Sequence, residues 1–303
     1  MLNLFSSPWL VRFAPWFFVL LWSTGFISAK YGLPYSEPFV FLSWRMAFNL
    51  LCFALLLKVF SVRLPRSWRL WRQQLIAGSL IHGAYLAGVF SAIDAGVPAG
   101  LTALLVGLQP LLTGVVVYFV WQQRLGLRQW LGLMLGLVGV ILVLQQTSAM
   151  QLQQVNLTWQ GLVWVLLALL GITWGTIYSK NACEAQSPLS ASFIQYCATL
   201  VLTLLMVIVK GEGAAEWHPD FILALGWSVL VLSVGAILLL LVMINAGEST
   251  RTASYFYLVP PLTALEAWLL FDEQMTGLAL MGMVITVFGV YWANRAVKGK
   301  GNS

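Results

Sequence analysis

Charge is what this chain has least of. Of its 303 residues only 9% are Asp, Glu, Lys or Arg, where an average soluble domain carries about 25%. The remaining polar residues are too few to cover a soluble surface, and the same shortage excludes a disordered chain. Histidine occurs twice, and aspartate only as Asp94, Asp220 and Asp272, all at loops or at the edges of apolar runs. No GxGD, HExxH or GxxxxGK[ST] run is present. The usual equipment of an intramembrane protease, a zinc hydrolase or an ATP-driven pump is therefore missing. The three cysteines, Cys52, Cys183 and Cys197, form no CxxC pair, so neither a disulfide framework nor a metal site is expected. No cofactor is expected either.

What the chain has instead is apolar residues, 60% of the total, with a mean hydropathy of +0.86. The solvent for most of it must be lipid. Ten runs are long enough, or nearly so, to span: Phe13–Gly32, Phe39–Val59, Gln74–Ile93, Pro98–Trp121, Arg128–Leu144, Trp159–Tyr178, Leu189–Val209, Phe221–Ile244, Thr252–Phe271 and Gly277–Trp292. They are continuous rather than alternating, which excludes a β-barrel. The N-terminal run lacks a cleavage motif and reads as a retained helix. The expected fold is an all-α integral membrane protein of ten transmembrane helices.

The net charge of +6 reads as topology rather than as nucleic-acid binding. With the N-terminus placed in the cytoplasm, the inner side collects Arg12, Lys58, Arg63, Arg66, Arg69, Arg72, Arg124, Arg128, Lys180, Arg251, Arg295, Lys298 and Lys300. The outer side keeps Lys30 and Lys210, and Arg45 lies within a span. Most acids fall outside: Glu37, Asp94, Glu212, Glu216, Asp220, Asp272 and Glu273. The tract from Ser61 to Arg72 interleaves Trp68 and Trp71 with arginines and reads as an anchor against anionic lipid. The expected location is a bacterial inner membrane, with both termini cytoplasmic.

A shift of 150 residues lays Ala95–Val140 on Asn245–Val290 with nine identities in 46 columns, among them Pro110/Pro260, Thr113/Thr263, Gly132/Gly282 and Gly139/Gly289. Five spans fall in each half, and an odd number makes the second half enter from the opposite side. Two inverted five-helix repeats, 13–144 and 159–292, joined by an external loop 145–158, are therefore expected. Inverted repeats are common in secondary transporters, whose substrate binds near the midplane between the halves.

An ordered set of residues now points to a family. Trp22–Ser23–Thr24–Gly25–Phe26 runs to Lys30–Tyr31–Gly32, with Arg45 in the second span and Pro110 in the fourth. Leu125–Gly126–Leu127–Arg128–Gln129–Trp130–Leu131–Gly132 follows, then Gly136 and Gly139, and the second half repeats with Trp174, Pro260, Glu273, Gly282 and Gly289. From about Trp16 to Trp292 the chain resembles the drug/metabolite transporter superfamily of the ten-span type, with two EamA-like halves. Gln123 stands where that family often has Glu. The resemblance implies uniport, exchange or proton-linked movement of small organic metabolites, often export of amino acids or related compounds. It also implies a cavity lined by spans one, three, four, six, eight and nine.

Candidate site residues follow. Trp22 and Trp174 sit near mid-span, each with a threonine two residues on (Thr24, Thr176), and serve either as an aromatic lining or as packing. Pro110 and the pair Pro260–Pro261 break helices four and nine near mid-membrane, beside Gln109, Thr113 and Thr263. Broken helices at matching points of two halves mark a transporter's binding region, the alternative being a purely structural kink. Thr252, Tyr255, Val259, Thr263 and Glu266 recur at helical spacing and define one polar stripe. His82, with Tyr85 three residues on, is a proton carrier or a hydrogen-bonded core residue, and Tyr178 lies one turn beyond Trp174. Two charges remain within spans. Arg45 is either an anion contact or a structural partner for carbonyls, with Asn49 on the same face. Glu266 either pairs with Arg45 or takes up a proton. The expected function is secondary transport of small organic metabolites by alternating access. Its partners would be a small-molecule substrate, protons as a candidate second one, and the lipid bilayer, and the chain would act as a monomer or homo-oligomer. A membrane enzyme and a channel or scaffold are the competing classes.

Overall fold

The computed structural model describes residues 8–121, 126–151, 158–183, 186–239, 259–271 and 276–298. Among them regular structure is entirely helical. The elements are α1 (Pro8–Gly32), α2 (Pro38–Val59), α3 (Trp68–Asp94), α4 (Ala99–Val106), α5 (Gln109–Trp121) and α6 (Leu127–Gln151). They continue with α7 (Trp159–Ala182), α8 (Pro188–Lys210), α9 (Pro219–Leu239), α10 (Val259–Phe271) and α11 (Gly277–Lys298). Each of the ten expected segments carries helix, the fourth as the two pieces α4 and α5. Among the described residues, six stretches are long and apolar enough to cross a membrane: α2, α3, α4 with α5, α7, α8 and α9.

The helix ends follow local chemistry. Proline opens α2, α8 and α9, where its missing N–H would have had no helical acceptor. The Thr158 hydroxyl caps α7 by accepting from Gly161 N at 3.1 Å. Gly211, at φ +68°, ends α8 in the left-handed conformation that glycine tolerates best. The next residue, Glu212, reaches across to α2, and its Oε2 accepts from the backbone N–H groups of both Phe39 and Val40 at 2.9 Å. Glu37 returns the contact by accepting from Gly213 N at 3.1 Å. The same end of the bundle stacks Tyr35 on His218 at 4.1 Å and places the Lys210 ammonium over Trp164 at 4.8 Å. The opposite end, at the α2–α3 junction, displays exposed Arg63, Arg66, Trp68, Arg69 and Arg72.

Two differences from the sequence expectation concern helix limits. Helix α6 runs on to Gln151, seven residues into the segment expected to be loop, because 145–151 contains no proline or glycine to stop it. The fourth span breaks at Gly107–Leu108, just before Pro110 rather than at it. Pro110 is thus the second residue of α5, a position that needs no N–H.

First-half helices pack on second-half helices. Helix α2 lies on α8, α3 on α7, α4 on α10, α1 on α9 and α10, and α6 on α11. In the last pair glycine allows close backbone approach. A Cβ at Gly289 would lie 2.6 Å from Gly136 N and 2.7 Å from Gly132 O, and one at Gly139 would lie 2.6 Å from Thr286 N. The Thr286 hydroxyl uses that proximity, donating to Gly282 O at 2.8 Å, with Gly136 O at 3.4 Å. Apolar side chains also cover the outside, as for Leu51 at 66% exposure and Ile208 at 77%, which suits a lipid solvent. Gly139→Leu or Gly289→Leu is expected to lower the thermal midpoint of detergent-solubilised protein, equivalent to about 1–3 kcal/mol or more. Gly114→Leu, whose Cβ would meet nothing within 4 Å, is the control expected to leave it unchanged.

Candidate functional site

Three polar clusters lie inside the bundle. The first joins α1 to α10. Ser23 is wholly buried, and its hydroxyl hydrogen is divided between Glu266 Oε1 at 2.7 Å and Leu20 O at 2.8 Å. The Thr263 hydroxyl, one turn before Glu266, donates to Ser23 O at 3.1 Å. The second carboxylate oxygen of Glu266 is buried without a partner. Beside this cluster, Thr24 accepts from the Trp227 indole at 2.8 Å.

The second cluster surrounds the break in the fourth span. Gln109 Nε2 donates to Thr176 Oγ1 on α7 at 3.0 Å, and the Thr113 hydroxyl donates back to Gln109 O at 2.8 Å. Gly107, in the break itself, faces Pro260. A Cβ there would lie 2.7 Å from Pro260 Cγ and 3.1 Å from two carbonyl oxygens. The first half's break therefore touches the proline of the second half directly. Val259 and Pro260 are both buried.

The third cluster is central. Arg45 on α2 is only 7% exposed, and its Nη2 donates to Ser233 Oγ on α9 at 3.4 Å. Tyr196 on α8 lies beside the same serine, and Tyr85 on α3 beside Trp22. His82 packs against the Tyr196 ring at 4.9 Å. Its Nε2 meets Gln195 Oε1 at 3.2 Å, and Gln195 Nε2 donates to Gln74 Oε1 at 2.7 Å. An amide oxygen only accepts, so this contact calls for a proton on His82 Nε2. Here α3 and α9 are both π-helical, over Ser79–Ala84 and Trp227–Gly235. The 150-residue shift lays the first segment within the second. Such segments often accompany functional sites.

The predicted residues are thus distributed unevenly. His82, Tyr85 and Trp22 gather near Arg45, Thr263 gathers with Glu266, and Gln109 and Thr113 with Thr176. Arg45 and Glu266 do not pair, since each takes a different serine. Trp174 is 42% exposed, and Tyr178 is partly exposed. Tyr255 lies outside the described residues, as do Thr252, Gln123 and Glu273. Sequence reasoning passed over Ser23, Tyr196, Gln195 and Ser233. Their only signal was polarity within apolar runs, and Tyr196 and Gln195 sit on a span that the resemblance did not place at a cavity.

A helical bundle solvated by lipid, with buried polar clusters built jointly by the two halves of the chain, has the anatomy of a multi-pass membrane transporter. The EamA-like transporter family model matches twice, over residues 16–145 and 159–295, and the chain belongs to that family. It is a membrane transporter with a small-molecule substrate. An uncharacterized transporter of Bacillus subtilis, YvbV, is 25% identical over 290 residues, covering 93% of this chain and 90% of its own. A "probable amino-acid metabolite efflux pump" of Escherichia coli is 26% identical over 296 residues, covering 92% and 95%. Its namesake in Salmonella typhimurium is 26% identical over 282 residues, covering 90% and 91%. A crystal structure at 19% identity superposes with a TM-score of 0.64 over 97% of this chain and 100% of its own, a likeness of fold.

The Ser23–Glu266 contact should be measurable as a coupling. In a double-mutant cycle of Ser23→Ala and Glu266→Ala, thermal unfolding in detergent is expected to give an interaction energy of about 1–3 kcal/mol. Strict additivity would mean that the two side chains do not interact.

Proposed function

We propose that this chain is a secondary transporter that exports small organic metabolites, amino acids or related compounds, by alternating access. The observation that carries the reading is the central polar cluster, to which α2 and α3 of the first half and α8 and α9 of the second all contribute. A solute held there touches both halves, so rocking one half against the other would change the side from which it is reached. The names of the Escherichia and Salmonella relatives support the substrate class and the outward direction.

In this reading residues 13–144 and 159–292 are two five-helix halves of opposite orientation, ten spans in all. The 150-residue repeat, the π-helical segments at matching places and the cross-half packing support that division. The excess of basic residues on one side supports cytoplasmic termini, and the bacterial relatives support a bacterial inner membrane. The residues of the central cluster all come from one chain, which is compatible with transport by a monomer or by each unit of a homo-oligomer. With no phosphate-cradling loop in the sequence, a substrate or proton gradient supplies the drive. Glu266, with one oxygen buried and unpartnered, is the candidate proton carrier. The chain is not an enzyme in this reading.

Counterflow in proteoliposomes against amino acids, sugars, nucleobases and cationic drugs tests the proposal. Accelerated exchange of at least one amino acid is expected. A protein that moves none of them and instead hydrolyses or transfers a group would overturn it. Glu266→Gln is expected to flatten the pH profile of uptake while leaving exchange at a fixed pH measurable, and an unchanged profile would remove Glu266 from coupling. A reporter fused to the C-terminus is expected to be active only on the cytoplasmic side.

A further inference from the structure

Among the described residues, the centre of the molecule holds a cation without an anion. Arg45 makes a single hydrogen bond, the 3.4 Å contact to Ser233, and its Nε is buried with no partner. One turn further along α2, Asn49 is 0% exposed, and neither its amide nitrogen nor its amide oxygen has a partner. A residue four positions on shares the helix face, so these orphaned groups lie side by side. The groups around them do not supply the missing charge. The Ser233 hydroxyl is committed to Ser228 O at 3.0 Å. From α8 comes the phenol Tyr196, and from α3 the phenol Tyr85 and the imidazole His82. The acid inside the tenth helix, Glu266, is held by Ser23 on α1.

A buried guanidinium with no counter-ion and a buried amide with no hydrogen bond are both costly arrangements. Keeping them adjacent gives them one shared remedy. Arg Nε–H and the Asn amide N–H groups are donors that call for acceptor oxygens bearing negative charge. A carboxylate supplies two such oxygens in the plane that the guanidinium fork matches. The Asn49 oxygen is left to accept from a donor next to that carboxylate, as the ammonium of an α-amino acid would be.

We infer that Arg45 and Asn49 form a carboxylate-binding subsite at the centre of the transport path, so that this protein selects substrates with a free carboxylate over their uncharged derivatives. The inference rests on the transporter reading above and names the group that its substrate must carry.

The test uses the purified full-length protein with a panel of neutral amino acids and their carboxamides and methyl esters. In counterflow the free acids are expected to compete at least tenfold better than the derivatives. In detergent the free acids are expected to raise the thermal midpoint more than the derivatives or sodium chloride at equal concentration. Asn49→Asp places a carboxylate beside Arg45 with almost no change of shape. It is expected to keep or raise the midpoint of the ligand-free protein and to bring acids and derivatives within twofold of each other. Arg45→Lys, which keeps the charge and loses the fork, is expected to fall between.

Equal handling of acids and derivatives by the wild type would overturn the subsite, as would an Asn49→Asp protein that keeps the full preference. Sodium chloride protecting as well as the acids would reduce the site to a general anion site and overturn the carboxylate assignment. Should counterflow move no member of the panel, the transport reading is what fails. The thermal midpoints then decide the subsite by themselves, preference for acids lost in Asn49→Asp supporting it and no preference overturning it.

Discussion

In lipid no water stands ready to satisfy a polar group, and everything else in this structure follows from that constraint. The backbone meets it by being helical. Side-chain hydroxyls and amides meet it in two ways. Some bond back to their own helix, as Thr102 does to Pro98 O, Thr173 to Leu169 O and Ser79 to Leu75 O. Others reach a neighbouring helix, and these carry the architecture. Ser23 to Glu266, Ser28 to Ser228, Gln109 to Thr176, Gln195 to Gln74, Thr199 to Gly78 O and Thr286 to Gly136 O each tie a first-half helix to a second-half helix. Much of the polar adhesive is therefore spent at the interface between halves, where apolar contact gains little because lipid tails are equally apolar.

The sequence revealed the elements far better than their neighbours. Ten apolar runs and the family membership could both be read from it. The inside of the bundle could not. Hydropathy separates inside from outside in water, but here both are apolar. Leu42 is 0% exposed and Leu51 is 66% exposed on the same helix, and nothing in their chemistry tells them apart. Helical spacing did assign faces: Thr263 and Glu266 both meet Ser23, and Arg45 and Asn49 are both buried. Which face meets which is a property of the packed bundle. For that reason Arg45 and Glu266 looked like natural partners, whereas the structure gives one to Ser233 and the other to Ser23. The cross-half partner of each lay at an arbitrary distance along the chain.

The break in the fourth span is a similar case. Pro110 marked the region, but the chain gives way at Gly107–Leu108, upstream of the proline. A proline ring interferes with the turn that precedes it and removes a donor to a carbonyl four residues back. Its effect is therefore felt before the ring, and the residue best suited to yield there is the glycine. That glycine also lets Pro260 come within reach, which a side chain would prevent. The same small residue thus permits the break and the contact between halves.

Separation of the two buried charges has a further consequence. Had Arg45 and Glu266 paired, each would have met the other's charge without a ligand. Held apart by different serines on different helices, they leave Arg45 Nε and one carboxylate oxygen of Glu266 without a partner. Such an arrangement costs stability that a purely structural bundle could recover with a few apolar substitutions, since well-packed hydrophobic residues often match or exceed a buried ionic group. A structure that must hold a solute and then release it has a different requirement. Its empty site has to stay incompletely satisfied, because a centre that is fully bonded to itself gives an arriving solute nothing to replace.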